Sequence, residues 1–138
     1  MNWVPENSRR ARGFALYAAL RGRGRRGESE LVERCCDLAL AMAARMAAHP
    51  RLRIVNEVAL NQVLVSVDDG DQLRTREVIR RVQEDGTCWL GSTRWHEREL
   101  IRISICHWAT TAEDVARSAD AILAAVDATP AAGPAPIT

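Results

Sequence analysis

With 138 residues the chain is long enough for one domain that removes roughly two-thirds of its unfolded surface from water, and 47% hydrophobic with 27% charged residues sits near globular averages and argues against disorder outside the ends. All 19 basic residues are Arg; no Lys occurs, which excludes Schiff-base and lysine general-base chemistry from these residues. The net charge of +1 hides a gradient, because residues 1–27 carry seven Arg against Glu6 alone and leave 12 Arg against 17 acids, or −5, for the rest.

Taken from the front, the spacing of Phe14, Tyr17 and Ala18 predicts a helix from about Ser8 to Leu20, which the glycines of the Arg21–Gly27 run should break. From Glu28 to Ala48, Leu31, Cys35, Leu38, Met42 and Met46 recur at spacings of three or four, the period of a helix that buries one face. Pro50 stops it. Leu52 with Ile54, then Val63, Val65 and Val67, alternate with polar neighbours as two short antiparallel strands, the second closed by Asp68-Asp69-Gly70. Thr75 is the expected N-cap of a helix carrying Val78, Ile79 and Val82, with Gly86 as its left-handed terminator. Strands are expected again at Thr87–Gly91 and Glu99–Cys106, joined by a polar connection containing Trp95 and His96. A last helix starts at Thr110 or Thr111, where Thr110 and Glu113 have capping-box spacing, and runs through Val115, Ala119, Ile122 and Val126. Beyond Ala128 the Pro-, Ala- and Gly-rich end lacks side chains that could build a core.

The expected fold is therefore α/β of the α+β kind: a small antiparallel or mixed sheet of about four strands with helices packed on one face. Residues 1–27 read as a basic lead-in helix and junction loop, 28–127 as the αβ domain, and 128–138 as a disordered tail. Cys35, Cys36, Cys88 and Cys106 lack the spacing of a zinc site or the density of a secreted scaffold, so they read as reduced thiols of a cytoplasmic protein, and no metal is expected. No apolar run suits a membrane span, and no signal peptide is recognisable. The Arg-Gly run is short and has no interleaved aromatics, so nucleic-acid binding is not expected.

Five words in order carry a resemblance: Ser8-Arg9-Arg10 opening a helix, Leu31-Val32-Glu33-Arg34, Asn61-Gln62-Val63-Leu64-Val65, Gly86-Thr87-Cys88-Trp89, and Ile101-Arg102-Ile103-Ser104-Ile105. From about Trp3 to Val126 the chain resembles the C-terminal part of the group II pyridoxal-phosphate-dependent amino-acid decarboxylases, relatives of aromatic-amino-acid, histidine and glutamate decarboxylase. The resemblance implies the C-terminal small domain of a fold-type I enzyme, a lyase whose large domain carries pyridoxal phosphate and its lysine. That large domain, or a second subunit, would have to supply the lysine, and none of these 138 residues is expected to bind the cofactor covalently or to be catalytic. The alternative is a stand-alone αβ binding or oligomerisation module without catalysis.

Strand alternation places Arg102 opposite Ile101, Ile103 and Ile105, on the face of Leu100 and Ser104. In the family the arginine of this strand grips the α-carboxylate of the amino-acid substrate, a task suited to a planar guanidinium and one that fixes which bond is broken. The bland reading is an interdomain or surface ion pair. Arg9 and Arg10 correspond to paired arginines near the domain junction, and they also read as a solvated helix start that the helix dipole disfavours. Thr87, Trp89 and Ser92 occupy the stretch that in the relatives approaches the substrate side chain, although a residue such as Trp89 is more often simply core. His96 and His107 have no partner at recognisable spacing and are taken as structural. If the chain has lost contact with a large domain, Ala15, Leu16 and Ala19 should contribute exposed apolar surface that favours a homo-oligomer.

Overall fold

A computed structural model describes residues 13–131. Contacts divide the chain into two units, Met1–Val32 and Glu33–Thr138.

In the first unit, helix α1 (Gly13–Ala47) begins, and its only non-helical backbone lies at Gly24, with φ 66 and ψ 175. A side chain there would be strained, so glycine permits the break. The expected loop over the whole Arg-Gly run is corrected to this one residue. Gly22 and Gly27 stay helical, because a helical glycine costs only about 1 kcal/mol and the run continues into the pair of Arg26 Nε with Glu30 Oε1 at 2.7 Å. Phe14, Leu16, Tyr17 and Leu20 are exposed.

The second unit holds the remainder of α1, then β1 (Leu52–Ile54), β2 (Gln62–Val67), a 3-10 turn (Asp68–Gly70), α2 (Gln72–Asp85), β3 (Gly91–Trp95), β4 (Arg98–Ser104) and α3 (Ala112–Ala128). The strands form one antiparallel sheet in the order β1-β2-β4-β3. Val63, Val65 and Val67 of β2 share a face with Ile101 and Ile103 of β4, continued by Ile105, and they bury against Leu38, Met42 and Met46 of α1. Val78 and Val82 of α2 and Val115, Ile122 and Val126 of α3 complete the same core. Each such side chain contributes about 1.5–3 kcal/mol when fully buried. The second-unit part of α1 together with α2 and α3 thus covers one face of the sheet, and the other carries the alternate residues of its strands.

Three local expectations are corrected. Thr75 is not the N-cap of α2; Asp71 is, accepting from the Arg74 N–H at 2.9 Å, while Thr75 is buried one turn in and donates its hydroxyl to the Asp71 carbonyl. The capping box of α3 uses Thr111 and Asp114, one residue later than Thr110 and Glu113. The third strand runs over 91–95 instead of Thr87–Gly91, because a two-residue turn at His96 and Glu97 (φ 45 and 62) pairs Trp95 directly with Arg98 and draws the ladder toward the hairpin tip. The end of the chain also begins later than its composition suggests. Ala128 is helical, Thr129 is buried, and Arg74 donates to the carbonyls of Pro130 and Ala131 at 3.0 and 3.1 Å. Residues 132–138, like Arg9 and Arg10, lie outside the described residues.

Candidate functional site

Strand β4 is central in the sheet, so its outward residues are framed on both sides. Register places Arg102 between Leu64 of β2 and Gly91 of β3. Gly91 offers no side chain on that side, and a Cβ added there would meet nothing within 4 Å, so the flank of Arg102 toward β3 is open. Arg102 is exposed and, among the described residues, its guanidinium makes no ion pair or hydrogen bond. Other arginines of this unit are committed: Arg76 to Glu99 at 2.7 Å, Arg81 to Glu77 at 2.7 Å, Arg51 to Asp68 at 2.6 Å, and Arg53 to Asp69. Arg98, four residues earlier on the same face, likewise makes no ion pair or hydrogen bond among the described residues, with Leu100 buried between the two. A guanidinium not already neutralised is free to take both oxygens of a carboxylate brought to it.

Among the described residues, the other expected site positions are spread over different parts of the sheet and its loops. Ser92 pairs with Ile101 and therefore belongs to the helix-covered side, where it lines a polar recess with Gln72, Arg76, Thr93, Arg94 and Glu99. Trp89 lies in the loop before β3 and is 79% exposed, which removes the core reading for it. Thr87 is exposed, and its N–H donates to Asp85 Oδ2 at 3.2 Å. His96 sits in the hairpin turn with its ring edge-on to Trp95 at 5.0 Å, and His107 Nδ1 accepts from the Ala109 N–H at 3.3 Å.

Two features escaped the sequence reading. One is a recess of about 220 Å³ between the end of β4 and α3, on whose wall Trp89, Cys88 and Ser104 meet. Burial and the nearby Asp85 charge push the Cys88 thiol up, against a hydrogen bond with Ser118. The other is a cluster in which Arg51 donates from Nε and Nη2 to both oxygens of Asp68 at 2.9 and 2.6 Å and from Nη1 to the carbonyls of Val126 and Thr129 at 2.6 and 2.7 Å. His49 beside it places Nε2 3.0 Å from Asp127 Oδ1 while its Nδ1 accepts from the Arg51 N–H. Both unite residues far apart in sequence, and neither has a local spacing that could have announced it.

Among the described residues no group of three His, Cys, Asp or Glu side chains could hold a metal ion, and no helix is long and apolar enough to cross a membrane. Pyridoxal phosphate needs a side-chain primary amine for its imine, and none of the 138 residues supplies one. The residues present do not fit covalent attachment of that group.

No protein-family profile matches the chain, and no curated protein matches it by sequence. Its structure does have neighbours. Tryptophan decarboxylase from Catharanthus roseus, solved with L-tryptophan, superposes with a TM-score of 0.77 at 18% identity over 91% of this chain. The 4-hydroxyphenylacetaldehyde synthase of Rhodiola rosea gives 0.76 at 23% identity over 87%. The glutamate decarboxylase domain of a Vibrio parahaemolyticus transaminase and L-2,4-diaminobutyrate decarboxylase gives 0.68 at 14% over 81%. In these three the match spans 28%, 27% and 25% of the neighbour's own length. The chain accordingly has the fold of a segment, about a quarter of the whole, of the group II pyridoxal-phosphate-dependent decarboxylases.

Proposed function

We propose that these residues are the C-terminal portion of a pyridoxal-phosphate-dependent amino-acid decarboxylase, acting in the cytoplasm, in which Arg102 binds and orients the substrate's α-carboxylate. The observation that carries the reading is the guanidinium of Arg102, uncommitted among the described residues, beside the open flank at Gly91 and on the sheet face opposite the helix-packed core. Arg9 and Arg10 would add positive charge near the junction, and Thr87, Trp89 and Ser92 would lie toward the substrate side chain. The lysine and the pocket for the aldehyde cofactor belong to a large domain or a second subunit, so the part played here is to bind, orient and close over the substrate.

The test is affinity capture of the tagged chain from its own cells, followed by a carboxy-lyase assay on what is captured. A lysine-bearing polypeptide should come down with it, and Arg102→Ala should lower kcat/KM of the complex by about 100-fold, the value of a charge-assisted bidentate contact, with Arg102→Lys restoring only part. Purified chain with added pyridoxal phosphate should turn over no amino acid. Turnover by that chain alone, or full activity of the Arg102→Ala complex, overturns the reading. Capture of a homo-oligomer only, with no lysine-bearing partner, would replace it with the non-catalytic module, toward which the exposed Phe14, Leu16, Tyr17 and Leu20 point.

A further inference from the structure

The recess at the end of β4 is built differently from the surroundings of Arg102. Its floor is apolar, formed by Met42 of α1, Leu90, Ile103 and Ile105 of the sheet side, and Val115 and Ile122 of α3. Its polar lining is hydroxyl, thiol and imidazole: Ser104, Thr110, Ser118, Cys88, Cys106 and His107, whose Nδ1 already accepts from the Ala109 N–H. The one carboxylate on the wall, among the described residues, is Asp114, already engaged by the Thr111 N–H and hydroxyl and by Arg117. No arginine lines it. A charged ligand would leave water there with no unengaged carboxylate or guanidinium on the described wall to meet it, at a cost that neutral groups avoid.

Size narrows the class further. About 220 Å³ exceeds the roughly 150 Å³ of an engineered apolar cavity that takes up benzene, yet it lies below the roughly 300 Å³ at which pockets for drug-sized ligands begin. One substituted ring fits. Trp89 stands at the rim with most of its indole in water, where a flat partner could stack on it. Ser118 already donates to the Asp114 carbonyl at 2.7 Å and, besides its hydrogen bond with the Cys88 thiol, keeps a lone pair to accept with, while Thr110 brings a second hydroxyl to the same wall.

We infer that this recess is a binding site for a compact, uncharged, single-ring molecule bearing one hydroxyl, separate in chemistry from the carboxylate contact at Arg102. The ring lies on the apolar floor against Trp89, and its hydroxyl donates to Ser118 or accepts from Thr110.

Phenol is the probe, titrated into the full chain and followed by backbone amide NMR and tryptophan fluorescence. Saturable shifts confined to residues 88–90, 103–107 and 110–122 are expected, with Kd on the order of 1 mM for so small a ligand. Benzoate and benzylammonium, of similar shape but charged, should bind at least about tenfold more weakly. Ser118→Met, which fills the space from α3, should abolish the shifts, and Trp89→Ala should remove the fluorescence response. If Ser118→Met fails to fold, the comparison of phenol with its two charged analogues in the unmodified protein decides. Absence of saturation at about twenty times the expected Kd, equal binding of benzoate, or shifts at 88–90 and 103–107 that instead follow protein concentration without phenol, as a second copy filling the recess would cause, overturns the inference.

Discussion

Ser66 lies in β2 at 1% exposure, and its hydroxyl has no hydrogen-bond partner among the described residues. It stands on the sheet face away from the helices, opposite Arg53 in the register, where Leu100 at 1% exposure is buried as well. A hydroxyl that loses water without replacing it costs about 1–3 kcal/mol. Ser66→Ala should consequently raise stability, by about 1 kcal/mol once a lost methylene-sized contact is allowed for, read as a higher urea midpoint at unchanged slope. Arg102, on the same face, shows the contrast between a strained and a free group. Its guanidinium keeps its water, so truncating it should leave the midpoint within about 0.5 kcal/mol of the parent while affecting only what it binds. That separation makes Arg102→Ala readable as a binding variant and not as a folding one.

At the scale of elements, the β3–β4 hairpin holds two non-glycine residues, His96 and Glu97, in left-handed conformation. Such turns favour Asn-Gly because each L side chain at positive φ costs about 1–2 kcal/mol. The double replacement His96→Asn with Glu97→Gly should stabilise the domain by about 1 kcal/mol, since the exposed pair of Arg94 with Glu97 that it removes is worth little. A thermal melt should move upward by a few degrees. This turn also explains where the sequence misled. Trp95-His96-Glu97-Arg98 has none of the glycine or asparagine that marks a two-residue turn, so the sequence alone favours a longer loop and a β3 four residues earlier than the ladder forms. Helix faces and the buried strand alternation were legible, because Leu38, Met42 and Met46 or Ile101, Ile103 and Ile105 announce themselves by period alone. The outward direction of Arg102 was legible for the same reason. The recess beside Trp89 was not, since it exists only where α1, β4 and α3 converge. Caps fell between these cases: Thr110 and Thr111 are chemically equivalent as candidates, and the choice of Thr111 follows from Asp114 reaching back to its N–H at 3.0 Å. Thr111→Ala should cost about 1 kcal/mol, whereas Thr110→Ala should cost little, and paired urea titrations distinguish them.

Across the whole second unit, one side chain ties the start of β1, the turn after β2 and the end of α3 together. Arg51 grips Asp68 through two bonds and the carbonyls of Val126 and Thr129 through a third nitrogen, 75 and 78 residues away in sequence. The grip also holds Asp68 at φ 44, a conformation that its own backbone disfavours. Both side chains are mostly withdrawn from water, 18% and 11% exposed, so breaking the pair is costly. Arg51→Ala orphans the carboxylate and two carbonyls and should destabilise by about 3–4 kcal/mol, whereas Asp68→Asn leaves Arg51 its carbonyl acceptors and should cost about 2 kcal/mol. The pair makes stability depend on acid in a definite direction. Its hydrogen bonds from Arg51, aided by the charges of Arg51, Arg74 and His49, hold the Asp68 carboxyl below its ordinary value in spite of burial. The folded chain therefore binds the Asp68 proton less readily than the unfolded one. Its contribution is complete above the unfolded value, near pH 4, and is lost as pH falls through the lower folded one. Glu77, held at about 2 by Arg80 and Arg81, and Asp114, lowered by the Thr111 cap and Arg117, act in the same sense from partly exposed helix positions. Urea unfolding at pH 7 and near pH 3 should thus show the parent losing more stability than Asp68→Asn, because the variant has already forfeited that term at neutrality while the two helix carboxylates titrate in both. Equal losses in parent and variant would mean that Arg51 holds the end of α3 by its carbonyl contacts alone and that Asp68 is only a bystander to the clamp.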